Sequence, residues 1–277
     1  MRNRASVANM PAVARADRII GGNMDQSDLA ARQFGDSAEN YLGSSVHAKG
    51  ADLDRLEALA RRLRPARALD LGCGAGHAAY ALARGGAAGV IAYDLSAQML
   101  GVVEREARAR GHAQIATRQG AAAQLPFDDA GFELIVTRYS AHHWPSVPAA
   151  MAQIERVLRP GGRLVVIDVV APEAALLDTT LQTIDLLRDL SHVRNYRASE
   201  WRSMLAAAGL VETGSEQWKL PLEFDSWVRR IATPPRRIDA LRAVFDALPA
   251  EARAYFSVAA DCSFISDALW IEAAKRA

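Results

Sequence analysis

The chain has 277 residues, half of them apolar, with 33 Lys and Arg against 32 Asp and Glu, so its formal net charge is +1. Interspersed charges leave no field of one sign to recruit nucleic acid or an anionic membrane, and the partner expected is a small molecule bound locally. The two cysteines, Cys73 and Cys262, argue against a disulfide framework, suit a reducing, cytoplasmic compartment and carry no metal-ligand spacing. The longest apolar runs are strand-sized and fall short of the roughly 18 to 20 residues that span a bilayer.

Residues 1–23 contain arginine, are poor in acids and are weakly patterned, while Met24 opens a more polar, helix-like stretch. The expectation is a disordered extension over 1–23 and a single domain over 24–277. Between 65 and 170, strand-sized apolar runs alternate with helix-sized patterns, as βαβ units around a parallel sheet do. "ARALDL" (66–71), "GVIAYDL" (89–95), "QIATRQG", "ELIVTR" (133–138) and "RLVVIDVV" (163–170) read as five strands. The helices between them run from Gly76 to Arg84, from Ser96 to Gly111 and along Met151, Ile154, Val157 and Leu158, the last stopped by "RPGG". Beyond 170 the pattern loosens. "SEWRSMLAAAGL" reads as another amphipathic helix, "VETGSEQWKL" as a strand, and "DALWIEAAKRA" as a last strand. The insertion at about 221–264, broken by "TPPRR", is either a lid or a stability element.

"LDLGCGAGHA" (69–78) occupies the turn after the first strand, where an open parallel sheet binds its ligand. Gly72, Gly74 and Gly76 remove side chains where the turn needs permissive dihedrals and where backbone must approach a ligand. The order is D-x-G-x-G-x-G rather than G-x-G-x-x-G. Asp70 before the loop suits a ligand bearing a positive amine and would repel a pyrophosphate. Asp94, 22 positions after Gly72, stands where a carboxylate accepts from both hydroxyls of a ribose; the alternative is an acid at a helix start beside Ser96.

With "YDLSAQML", "LPFDDAGFELIV" and "RVLRPGG" following in order, residues 66–172 resemble the class I S-adenosylmethionine-dependent methyltransferases, in particular the branch of the ubiquinone and menaquinone biosynthesis methyltransferases. The resemblance implies an α/β, Rossmann-like sheet of seven strands, the last antiparallel, with an N-terminal helical cover and a lid insertion before the final strand. It implies S-adenosylmethionine as cofactor, with Asp70 and the loop of Gly72, Cys73, Gly74 and Gly76 at its methionine end, Asp94 at the ribose, and Leu95 and Met99 at the adenine. The family often carries an acid after the third strand. Here Ala121 stands in its place, so that contact falls to backbone near Ala122, to Gln119 or Gln124, or is missing.

Methyl transfer asks the protein chiefly for proximity, orientation and a dry site, and some acceptors also need a base. In "VTRYSAHHWPSV" (136–147), His142 and His143 follow the fourth strand, where an acceptor approaches. Neighbours on an extended segment point to opposite sides, so one at most faces the pocket, and His143 is the preferred candidate. The alternative is that both cap the next helix or bind carbonyls. Arg138 belongs with the cofactor-site candidates, or pairs with Arg194 to grip an acceptor carboxylate or phosphate. Tyr41, His47 and Tyr196 are further acceptor-side candidates in flanking segments. The expected activity is methylation of a small-molecule acceptor at carbon or oxygen. The competing readings are a non-catalytic S-adenosylmethionine-binding protein and a nicotinamide-dependent oxidoreductase, the latter disfavoured by the glycine spacing and by the lack of a Tyr-x-x-x-Lys pair.

Overall fold

A computed structural model describes residues 24–36 and 50–277; the expected extension over 1–23, and Tyr41 and His47, lie outside the described residues. Seven strands, β1 (Ala68–Leu71), β2 (Val90–Asp94), β3 (Ile115–Gln119), β4 (Phe132–Arg138), β5 (Leu158–Val170), β6 (Leu210–Leu222) and β7 (Phe264–Lys275), form one sheet in the order β3-β2-β1-β4-β5-β7-β6. β1 pairs parallel with β2 and β4, and β4 parallel with β5, while β7 runs antiparallel to both of its neighbours. This is the expected α/β architecture. A parallel sheet needs helices on both faces, and that is why its strands read as continuous apolar runs rather than alternating ones.

Alternation along each strand divides the core. Leu69, Leu71, Ile135, Leu164 and Val166 face one side, packed with Met151 and Ile154 of α5 (Val147–Val157) and Trp201 of α7 (Ala198–Ala207). Ala68, Leu134, Val136, Val165 and Ile167 face the other, against α2 (Ala51–Leu63), α3 (His77–Arg84) and α4 (Ala97–Ala109). The remaining described helix before the sheet, α1 (Gln26–Asp36), lies over the strand ends and supplies the helical cover.

Two details depart from expectation. β5 begins at Leu158, not at 163: Leu158 pairs with Phe132, a register shift absorbs "RPGG", and regular pairing resumes with Arg163 opposite Leu134. Helix α6 (Ala175–Arg188) has no counterpart in the sequence reading, because its apolar positions serve a satellite core rather than the sheet. The insertion between β6 and β7 folds as α8 (Phe224–Arg230), α9 (Pro235–Asp246) and α10 (Ala250–Tyr255), packed through Phe224, Trp227, Phe245 and Phe264. No helix among the described residues is long and apolar enough to cross a membrane.

Phe132 shows what the sheet rests on. It is fully buried at the start of β4, edge-on to Phe127 at 5.0 Å and under the guanidinium of Arg67. Truncation to Ala removes a ring that the neighbours cannot replace, and Phe132→Ala is expected to cost about 3–5 kcal/mol in denaturant unfolding. An unchanged midpoint would show that the ring lies outside the cooperative core.

Candidate active site

The parallel strands end along one edge, and the chain must turn there. After β1 it turns at Gly72, where φ is +72°, and the N–H groups of Gly72 and Cys73 both donate to the Tyr93 carbonyl at the end of β2. A Cβ at Gly72 would lie 1.9 Å from Ser140 Oγ, so the close approach of this turn to the turn after β4 requires glycine. At Gly74 the same atom would meet nothing within 4 Å: the loop backbone there borders open space.

Asp94 ties these turns together. Its Oδ2 accepts from the Gly74 N–H and its Oδ1 from the Ser96 N–H, each at 2.9 Å, and Ser96 Oγ in turn accepts from Met99 N–H to cap α4. Asp94 therefore braces a helix start, as one reading of the sequence expected, and it also lines a cavity. Each carboxylate oxygen keeps a second lone pair.

That cavity has a volume of about 180 Å³. Gly72, Cys73, Gly74, Asp94, Leu95, Met99, Ala122 and Arg138, all expected at the cofactor, line it together with His143. Asp70 and Gly76 do not. A Cβ at Gly76 would strike Tyr80 and Val103 within 3 Å, so this glycine serves helix packing. Asp70 lies behind the loop, where its Oδ2 accepts from Ala79 N–H in the first turn of α3 at 2.8 Å and its Oδ1 has no partner. Burial, aided by the charge of Asp94, pushes its pKa up to about 7. In place of the missing acid, Ala121, Ala122 and Ala123 form a wall of small side chains; the Gln119 amide donates to the Leu95 carbonyl, and neither Gln119 nor Gln124 reaches the cavity.

The arginine expectation needs correcting. Arg138 Nε bonds Asp52 of α2 at 2.6 Å, with both side chains buried, whereas Arg194 pairs with Asp178 and Glu200 and lines neither this cavity nor the one beside it. The two guanidinium groups do not converge, because each is held by carboxylates of its own surroundings. Tyr196, likewise absent from both linings, packs on Trp201 with ring centroids 5.7 Å apart.

The histidines lie on a 3₁₀ turn, Ala141–His143, and not on an extended segment, so they do not point to opposite sides; their ring centroids are 4.2 Å apart. His143 lines the first cavity and also a second, neighbouring one, and Phe34 and Tyr139 are shared in the same way. Its Nδ1 donates to the Ser191 carbonyl at 3.0 Å, and burial together with the charge of His142 drives its pKa well below the ordinary value, keeping the ring neutral. His142 lines only the second cavity, with Nδ1 2.6 Å from Asp168 Oδ1. Burial opposes its protonation, but the charge and hydrogen bond of Asp168 overcome this and raise its pKa. Tyr139, between the cavities, holds φ at +50°, a strained value for a non-glycine residue. Sequence reasoning missed Asp168, although an acid interrupting "RLVVIDVV" was a visible signal, and it missed His192, whose ring centroid is 5.8 Å from that of His142.

A model of the family described as "Methyltransferase domain" matches residues 69–166. Protein YafE of Escherichia coli, itself uncharacterized, is 47% identical over 188 residues, 68% of this chain and 91% of its own. Uncharacterized methyltransferase YcgJ of Bacillus subtilis is 35% identical over 248 residues, 88% of this chain and 98% of its own; its crystal structure superposes with a TM-score of 0.76 at 33% identity, covering 81% and 99% of the two chains. The chain belongs to the class I S-adenosylmethionine-dependent methyltransferases. A demethylmenaquinone methyltransferase of Thermus thermophilus is 35% identical over 144 residues, half of this chain and 65% of its own.

The cavity of this methyltransferase suits S-adenosylmethionine: open space borders the backbone at Gly74, a carboxylate lies at Asp94, and a small-residue wall at 121–123 leaves room for a flat ring. The buried Asp70 generates a prediction about stability. Its folded pKa, about 7, exceeds the unfolded 3.8, so between these values the native state holds more protons than the unfolded one. Stability contributed by this group is complete below about pH 4 and declines as pH rises to about 7. Asp70→Asn is expected to flatten that decline in denaturant titrations at pH 5 and pH 7, and an unaltered slope would contradict the neutral carboxyl.

Proposed function

We propose that this methyltransferase moves a methyl group from S-adenosylmethionine to a carbon or oxygen of a small, dissolved acceptor. The observation that carries the reading is the junction of the two cavities at Phe34, Tyr139 and His143: one has the glycine loop and Asp94, the other is lined by polar side chains, and they share one wall. The bound cofactor supplies an electrophilic methyl group on a sulfonium.

The chain's own residues do the rest. The backbone of Gly72 to Gly74 holds the methionine end, Asp94 receives the ribose hydroxyls, and Leu95, Met99 and Ala122 flank the base; Asp70 braces the loop from behind by fixing the start of α3. Ser27, Ala30 and Phe34 of α1 close the opening and exclude water, which strengthens every electrostatic interaction inside. His143, neutral and anchored through Nδ1, offers Nε2 at the junction to orient the acceptor. The relative named a demethylmenaquinone methyltransferase supports an aromatic or enolic acceptor. Two unpaired, buried cysteines suit the cytoplasm.

Asp94→Ala removes charge-assisted bonds to the ribose and releases Gly74. S-adenosylhomocysteine binding measured by calorimetry is expected to weaken by about 1.5–3 kcal/mol, and unchanged affinity would remove Asp94 from the cofactor site. His143→Ala tests the junction separately: we expect S-adenosylhomocysteine affinity to persist while turnover of phenolic and enolic acceptors falls by about ten-fold or more. Equal turnover would leave His143 a structural cap.

A further inference from the structure

Among the described residues, four of the nine buried side-chain atoms that lack a hydrogen-bond partner belong to residues of one place. Asp189 Oδ2, Asn195 Oδ1, Ser266 Oγ and Arg188 Nη2 are all orphaned, and all four residues line the second cavity. Asp189, Asn195 and Ser266 are each at least 98% buried. An unsatisfied buried polar group costs about 1–3 kcal/mol, so such a concentration marks a site built for a ligand that brings both donors and acceptors. Among the same linings, Leu222, Trp227 and Arg230 come from the end of β6 and from α8, so the insertion borders this cavity and not the cofactor cavity.

Within this cavity one imidazole is arranged differently from its neighbours. His142 has its Nδ1 on the carboxylate of Asp168, which is itself anchored by the Val169 N–H at 2.9 Å. That bond fixes the tautomer with the proton on Nδ1 and leaves the Nε2 lone pair for a ligand. His143 spends its Nδ1 on a backbone carbonyl, and His192 Nε2 lies 3.0 Å from the Gln182 amide oxygen. The groups facing His142 are the carboxylates of Asp168, Asp185 and Asp189 and the imidazoles of His143 and His192. The three carboxylates stabilise the imidazolium that forms when His142 takes a proton, while burial keeps the other two rings neutral.

We infer that the second cavity is the acceptor subsite for a small polar compound with an ionisable hydroxyl, a phenol or an enol, and that His142, held by Asp168, removes the hydroxyl proton. This rests on the methyltransferase reading above and deepens it. The acceptor O–H bond breaks and its proton passes to His142 Nε2; the electron pair left on the acceptor forms the bond to the methyl carbon, and the pair of the broken S–C bond returns to sulfur. Arg188 Nη2 and Ser266 Oγ donate to acceptor oxygens, and Asp189 Oδ2 and Asn195 Oδ1 accept from a further hydroxyl. The lining sets these polar groups beside Leu181, Leu222 and Trp227, a mixture that suits a compact ring bearing several oxygens.

The test uses 4-nitrophenol, whose anion absorbs in the visible, with the intact protein saturated in S-adenosylhomocysteine. The wild type is expected to bind the probe as its anion, the proton passing to His142 without net uptake from the buffer, at a pH where the free compound is largely neutral. His142→Gln and Asp168→Asn should each lose this anion signal and weaken probe binding by about ten-fold, with S-adenosylhomocysteine affinity unchanged as the proof of folding. Ser266→Ala should weaken the probe without abolishing its ionisation. Wild-type protein that binds S-adenosylhomocysteine but not the probe, or variants that ionise it as the wild type does, would overturn the inference and leave the methyltransferase reading intact. Failure of the wild type to bind S-adenosylhomocysteine would instead sink that reading.

Discussion

One carboxylate holds the working edge together. Asp94 ends β2, yet its two oxygens accept from Gly74 in the loop after β1 and from Ser96 at the start of α4. Two turns that would otherwise be ordinary surface loops thereby become rigid, and the glycine backbone is presented at a fixed distance from the strand ends. The cost is visible in the same place: burial raises the pKa of Asp94, and the backbone donors of Ser96, Gly74 and Leu95 offset it. A cofactor that brings hydroxyl donors to the remaining lone pairs would add to that compensation. Asp70 sits deeper, with fewer donors and one orphaned oxygen, and tolerates burial by remaining largely protonated.

The second cavity repeats this logic with less compensation. Its polar groups come from the 3₁₀ turn after β4, α6, the loop after it, α8 and β7, elements that have no sequence proximity to the glycine loop. The insertion helices pack on α6 through an aromatic cluster and turn Trp227 and Arg230 toward the rim. A rigid apolar scaffold thus holds a polar set whose hydrogen bonds are incomplete, the arrangement expected where selectivity is set by unpaired buried groups. Joined at Phe34, Tyr139 and His143, the two cavities would, under the proposed function, divide the labour between a cofactor held by backbone and an acceptor read by side chains.

Most of the lining of the first cavity was legible because its parts are local, although Asp70 and Gly76, expected there, lie outside it. Turn glycines, a strand-end acid and a helix cap act within a few positions of one another, and their spacing carries the chemistry. The acceptor side was not. His142 and Asp168 stand 26 positions apart on different strand ends, and Asp189, Asn195 and Ser266 sit on two further segments. Arg138 misled for the same reason, since nothing near it in the chain announces Asp52 as its buried partner. The adjacent histidines were read as extended, but they lie on a 3₁₀ turn: His143 lines both cavities, while His142 lines the second and has the carboxylate.

What the sequence alone determined is the parallel sheet and the edge at which a nucleoside cofactor is held, the antiparallel last strand being implied by the family resemblance. Apolar periodicity and turn chemistry are short-range properties, and they survive in a linear reading. Only the tertiary structure decided where the insertion went, which arginines were already paired, and which histidine gained a carboxylate. Those outcomes depend on long-range packing, which sets burial and therefore the charge of each group, and no spacing along the chain encodes it.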